Sequence, residues 1–90
     1  MTDIRPEIVA FAQLMEAKMR KHDAKWGDSW KDMLPEQLAL RFTEECAEMW
    51  TAARWGGEYC GLAAEEAADV ANVAMFIAWN LGTLSEKVRG

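Results

Sequence analysis

Apolar residues recur at three- and four-residue steps along most of this 90-residue chain. That spacing is typical of α-helices with one buried face, whereas a half-buried strand requires alternation of apolar and polar residues. The sequence has no such alternation over five or more residues bounded by turn residues. We therefore predict an all-α fold for a single domain, residues 1–90. Three main helices and a short C-terminal helix would form a bundle.

The first helix is predicted to begin near Asp3, as N-cap, and to end around Lys21. Its apolar residues have helical spacing: Ile8, Phe11, Ala12, Met15 and Met19. Residues 22–34 mix Gly, Asp, Ser and two Trp without that spacing, which indicates a loop.

Glycine and capping signals place three further helices. Gly56 should stop the second helix and Gly82 the third, with a short turn through Gly61 between them. Thr83 and Glu86 have the spacing of a capping box, which predicts a last short helix. The second helix is predicted over Pro35–Trp55 and the last over 84–89. The third helix carries Leu62 to Leu81 and is ended by Gly82. The expected inward side of the third helix comprises Leu62, Val70, Val73, Ala74, Ile77 and Leu81.

Size and charge limit the classes of function. A domain this small buries little apolar surface on its own, so self-association is expected. A net charge of −5 opposes binding to nucleic-acid polymers. The sequence contains no apolar run of roughly 18 to 20 residues, so we expect no membrane span. It also lacks the pattern of a signal peptide, and we expect a soluble, cytoplasmic protein.

The acidic residues of the second helix interrupt its apolar stripe. Leu38, Phe42 and Met49 mark the stripe, and Glu45 fills the position between Phe42 and Met49. Glu48 lies three residues beyond Glu45 and flanks the same face. A solvated acidic face would lie opposite the apolar residues, so this placement predicts carboxylates that point inward.

The third helix repeats the pattern, because Glu66 and Asp69 fall between Leu62 and Val73 at helical spacing. If the two helices form an antiparallel hairpin, Glu48 and Asp69 lie equally far from its turn. The remaining two acids, Glu45 and Glu66, are then within about two helical turns of each other. The four carboxylates can converge.

Converging carboxylates on an apolar surface repel one another and require positive charge. Few basic residues match these positions, with Arg41 one turn from Glu45. Oxygen ligands without His or Cys favour Mg²⁺ or Mn²⁺ over zinc. Glu-rich amphipathic helices are also common without any metal, so a solvated acidic surface stays an open alternative.

The acidic motifs resemble the EExxE…ExxD signature of the MazG-type all-α nucleoside triphosphate pyrophosphatases. They read EECAE at 44–48 and EAAD at 66–69. The segments at 25–27 (KWG) and 65–72 are similar to small MazG-like proteins, and the resemblance covers about residues 20–82. Such proteins are dimers or tetramers in which two chains complete the bundle, so the resemblance implies a homodimer or homotetramer.

The resemblance also implies roles for individual residues. The metal ligands, for one or more Mg²⁺ ions, would be Glu45, Glu48, Glu66 and Asp69. Either Glu45 or Glu48 would also be catalytic, as acceptor of the proton from the attacking water. The substrate-binding residues would be Trp55 and Trp30 around the base, Asn72 at the phosphate or sugar, and Lys25, or else Lys21 or Arg54, at the phosphates. Packing in the core or in a dimer is the alternative role for the tryptophans.

The function implied is hydrolysis of an NTP or dNTP to the monophosphate and pyrophosphate. Two alternatives stay open, namely a phosphoribosyl-ATP-type pyrophosphohydrolase and a non-catalytic helical interaction module. We also predict that Asp69→Asn abolishes turnover and leaves the fold intact or more stable, because it removes repulsion among the acids.

Overall fold

A computed structural model describes residues 3–54 and 62–90 of the chain. These residues form four α-helices and one 3₁₀ helix, and no strand occurs among them. The elements are α1 (Pro6–Trp26), the 3₁₀ helix (Ser29–Asp32), α2 (Pro35–Arg54), α3 (Ala63–Leu81) and α4 (Leu84–Arg89). The predicted all-α fold with three main helices and a short last helix is confirmed for these ranges.

Helix α1 begins later than predicted, with Arg5 rather than Asp3 as its N-cap. Arg5 has an extended backbone (φ −55°, ψ 139°) and precedes Pro6, the first helical residue. The proline ring disfavours helical backbone angles in the residue before it, so the helix cannot extend back toward Asp3.

Helix α1 also ends later than predicted, so the predicted loop over 22–34 is wrong in two segments. The helix continues to Trp26, and a 3₁₀ helix follows over Ser29–Asp32. Gly27 ends α1 with a positive φ of 50°, and its N–H donates to the Asp23 carbonyl at 2.9 Å. A positive φ strains other residues, which is why glycine suits this position.

Helix α2 begins at Pro35, as predicted. The Gln37 side chain reaches back to accept a hydrogen bond from the Leu34 N–H at 2.9 Å, as in half of a capping box. The described part of α2 ends at Arg54. Its predicted end at Trp55 and the glycine turn through Gly61 lie outside the described residues.

Helix α3 ends before Gly82, as predicted, and the reason for glycine at this position is steric. Gly82 has φ −114°, and a Cβ at this position would lie 2.8 Å from the Ala78 carbonyl oxygen. Glycine therefore avoids a steric clash. Helix α4 forms where predicted, although the Thr83 side chain makes no capping hydrogen bond, so the capping-box prediction is wrong.

Helix α3 lies at the centre of the fold and contacts α1, α2, α4 and the 3₁₀ helix. Asn72 of α3 donates to the Met15 carbonyl of α1 at 3.1 Å, and Asn80 donates to the Trp30 carbonyl at 2.8 Å. These bonds tie α1 and the 3₁₀ helix to α3. None of the helices in the described ranges has the length and apolar character needed to cross a bilayer.

The apolar core is small. Among the described residues, the fully or almost fully buried hydrophobic side chains are Leu38, Ala52, Ala68 and Val73. Three residues expected on the inward side of α3 are instead exposed, namely Leu62, Ala74 and Leu81. One chain has too few facing helices to cover a full apolar stripe on α3, so these predictions are wrong for the single chain.

In the described ranges Leu38 is the largest fully buried side chain, with 1% of its surface exposed. We predict that Leu38→Ala lowers the free energy of unfolding by about 2 to 5 kcal/mol, because it removes buried methyl groups and leaves a cavity. Leu40→Ala removes the same atoms from a side chain 62% exposed and should cost less than about 1 kcal/mol. Urea denaturation of both variants tests this, and equal losses would contradict it.

Candidate metal centre

Three predicted acids form a tight carboxylate group where α2 packs against α3. One carboxylate oxygen from each of Glu45, Glu48 and Glu66 lies within 4.8 Å of the others, so the group could hold a metal ion. The Glu45 side chain is 12% exposed, Glu66 is half-buried and Glu48 is exposed. The inward orientation predicted from helical spacing therefore agrees with the burial of Glu45 and Glu66, whereas Glu48 is more exposed than predicted.

The fourth predicted acid, Asp69, is paired with a lysine, so removal of repulsion among the acids is no longer a reason to expect Asp69→Asn to leave the fold intact or more stable. The substitution would also leave the lysine ammonium without its partner. Asp69 Oδ2 lies 3.3 Å from Lys18 Nζ of α1, and the two side chains are 23% and 17% exposed. Arg41 pairs with Glu45 at 3.3 Å along α2, but the arginine side chain is 53% exposed. Two cations thus face four carboxylates, which leaves the cluster with excess negative charge.

Burial raises the pKa of both inward glutamates above their ordinary value of 4.5. Loss of solvation is the largest cause for Glu45, and the charges of Glu48 and Asp69 raise its pKa further while Arg41 opposes them. The pKa of Glu66 is raised first by burial and then by Asp69 and Glu48, against a smaller opposing effect of Lys18. Both glutamates are therefore held in surroundings that disfavour their charged forms.

One carboxylate oxygen in the cluster lacks any partner. Glu66 Oε2 is almost completely inaccessible and accepts no hydrogen bond from the described residues. A buried carboxylate oxygen without a donor is costly unless a cation or a proton compensates it. The donor set consists of carboxylates alone, which suits a hard cation such as Mg²⁺ or Mn²⁺. The residues present therefore fit a divalent metal ion.

The carboxylate group lines a cavity of about 650 Å³, a size typical of small-molecule sites. Asn72 also lines this cavity and is only 5% exposed. Its Nδ2 donates to Met15, while its Oδ1 is buried without a partner in the described structure. The unsatisfied Oδ1 is an acceptor, so it suits a ligand that offers a hydroxyl or N–H group.

An aromatic stack lines the same cavity. Trp30 stacks on Phe76 with ring centroids 4.8 Å apart, and Trp79 packs edge-on against Trp30 at 5.6 Å. Trp30 is half-buried and fixed through its carbonyl by Asn80. Trp30, predicted to lie in a loop, is therefore part of a 3₁₀ helix, where it packs against Phe76 and Trp79 and also lines the cavity.

The remaining predicted substrate residues are not all at the cavity. Lys25 is exposed and lies over the Trp26 ring, with Nζ 4.8 Å from the centroid, and it does not line the cavity. Trp55 lies outside the described residues. The structure thus brings Glu45, Glu48, Glu66, Asp69, Asn72 and Trp30 to one cavity and leaves Lys25 at the surface.

Several cavity residues were missed from the sequence. Lys18, His22 and Phe76 all line the cavity. For His22 a signal was present, because Met15, Met19, His22 and Trp26 follow one another at steps of four, three and four. Counting His22 as a member of that face would have extended the first helix to its observed end. No local pattern distinguishes Lys18 from a solvent-exposed lysine.

Comparisons of the chain with protein-family models, with curated proteins and with solved structures give no match.

We predict that metal-free Glu66→Gln has a larger free energy of unfolding than the unmodified protein at pH 7. A raised pKa in the folded state means that charged Glu66 destabilises the fold above that pKa. The penalty disappears as the pH falls below the ordinary value of 4.5, where the acid is protonated in both states. The gain from glutamine should therefore shrink between pH 7 and pH 4.

Urea denaturation with a chelator present, at several pH values, measures this difference. Glu65→Gln is the matched control, since it removes the same charge from an exposed neighbour and should change stability by less than about 0.5 kcal/mol. A Glu66→Gln variant less stable than the unmodified protein at pH 7 would show that Glu66 is a stabilising charge.

Proposed function

We propose that this protein is a Mg²⁺-dependent nucleotide pyrophosphohydrolase, similar to the MazG-type enzymes, that converts an NTP or dNTP to the monophosphate and pyrophosphate. The supporting observation is that carboxylates and aromatic rings share one cavity wall. Along α3, Glu66, Asp69, Val73 and Phe76 all line the cavity at steps of three and four residues. One wall thus changes from acidic to aromatic over roughly 15 Å of helix rise.

This arrangement matches the two chemically different parts of a nucleotide. A polyphosphate needs a metal ion to bind near carboxylates, and a base offers a flat ring that stacks on aromatic side chains. The acidic part of the cavity would bind the metal–phosphate moiety, and Trp30 or Phe76 would contact the base. Asn72 Oδ1 would accept a hydrogen bond from a sugar hydroxyl or a base N–H, since phosphate oxygens cannot donate.

The protein's own groups would then perform the hydrolysis. When bound, Mg²⁺ would orient the phosphates and offset charge that develops on the leaving group. Glu45 or Glu48 would accept a proton from water as the water oxygen bonds to the α-phosphorus. The bond from that phosphorus to the bridging oxygen would break, and its electron pair would leave with pyrophosphate.

Pyrophosphate release from a panel of NTPs and dNTPs with Mg²⁺ tests the proposal. We expect turnover that a chelator abolishes and that Glu66→Gln lowers at least about 100-fold, because metal-based stabilisation of the transition state amounts to several kcal/mol. Glu65→Gln should retain turnover. Turnover of phosphoribosyl-ATP alone would favour the alternative substrate, and no turnover on any nucleotide, despite Mg²⁺ binding, would favour the interaction module.

We also infer that the protein is a homo-oligomer. Large apolar side chains such as Ile8, Trp50, Leu81 and Val88 are each more than half exposed, while the core of one chain is small. Burying such side chains against a second copy would add the apolar contacts that the single chain lacks.

Light scattering after gel filtration should give twice or four times the chain mass of 10.2 kDa. A mass of one chain at micromolar concentration would contradict the inference.

A further inference from the structure

Lys18 and Asp69 form the one ion pair that joins two different helices in the described part of the chain. The other pairs connect residues three or four positions apart, as in Arg20–Glu16. Lys18 and Asp69 are also mostly buried, whereas Arg20 and Glu16 are 76% and 61% exposed. Exposed pairs contribute little, so among the pairs of the described residues Lys18–Asp69 is the one in which both partners are shielded from water.

This ion pair lies beside the carboxylate group. Asp69 is one helical turn from Glu66, and both residues line the cavity together with Lys18. Asp69 is close enough that its charge acts on both Glu45 and Glu66. The Lys18 ammonium therefore occupies one side of the Asp69 carboxylate, which is the predicted fourth ligand and lies next to the group formed by Glu45, Glu48 and Glu66.

We propose that Lys18 is a built-in counter-ion of the metal centre, which gives up Asp69 when a divalent cation binds and then binds a phosphate of the substrate. This inference rests on the proposed function. Once Asp69 contacts the cation, the Lys18 ammonium loses its partner and faces a second positive charge. A mostly buried, unpaired ammonium is costly, so the next anion to enter the cavity stabilises it.

Through this exchange Lys18 takes the phosphate-binding role that the sequence predicted for Lys25. Lys25 lies away from the cavity, while Lys18 is held inside it by α1. Lys18 opposes metal binding in the empty site and favours phosphate binding in the metal-loaded site. Metal and polyphosphate should therefore bind cooperatively, each raising the affinity of the other by the same factor.

Lys18→Met keeps the length of the side chain and removes its charge. Calorimetric titration with MnCl₂ alone should show tighter binding than in the unmodified protein by about 3- to 10-fold, since an ion pair with Asp69 no longer competes. Titration of the Mn²⁺-loaded protein with inorganic triphosphate should show binding weaker by about 10- to 100-fold, the range for loss of a charge-assisted hydrogen bond.

Arg20→Met is the matched control, because it makes the same charge change on the same helix and also breaks an ion pair, at an exposed position. It should change both dissociation constants by less than about twofold. Lys18→Arg keeps the charge and should behave like the unmodified protein toward Mn²⁺. Weaker or unchanged Mn²⁺ binding by Lys18→Met would overturn the inference, whereas absence of Mn²⁺ binding by the unmodified protein would overturn the metal centre itself.

A measurement on the unmodified protein covers the case in which Lys18→Met does not fold. Acetylation of Lys18 by acetic anhydride, followed by mass spectrometry, should accelerate when Mn²⁺ is added and slow again when triphosphate follows. Arg20 is not acetylated, and exposed Lys21 provides the internal standard. A Lys18 acetylation rate that does not respond to bound Mn²⁺ would show that the ion pair persists in the loaded site.

Discussion

The main physical constraint on this structure is that the contact between α2 and α3 removes several carboxylates from water. Glu45 and Glu66 lose solvation in the folded chain, and Glu48 adds a third charge within 4.8 Å. Such crowding destabilises a fold whose apolar core is already small. Without a ligand, the repulsion among these carboxylates only destabilises the fold. A bound divalent cation would be coordinated by the same carboxylates, and its charge would offset their repulsion. The strain at the cluster is thus the reason to regard it as a functional site.

The core explains how the carboxylates come so close. Ala52 of α2 and Ala68 of α3 are 6% and 0% exposed. Small side chains at a helix contact allow the helix axes to approach, since the interaxial distance follows the size of the side chains between them. Helices α2 and α3, which carry the carboxylates, therefore each contribute a small buried side chain and contact each other.

Helical spacing, together with the assumption of an antiparallel hairpin, predicted the convergence of Glu45, Glu48 and Glu66. By itself it was sufficient to predict the three main helices, because the phase of a helix follows from local sequence. It was insufficient where the information is not local. The environment of Lys18 depends on how α1 packs against α3, and no pattern within α1 encodes that contact. His22 was missed for another reason. The side of α1 that faces the cavity carries polar as well as apolar residues, so a helix predicted from apolar residues alone ends before His22.

If these carboxylates hold a divalent cation, anomalous diffraction from crystals grown with Mn²⁺ should locate it. We expect an anomalous peak within coordination distance, about 2.0 to 2.3 Å, of oxygens from Glu45, Glu48 and Glu66. A map without a peak at this position, in crystals where the three carboxylates remain together and Mn²⁺ is present at millimolar concentration, would contradict the proposed metal centre.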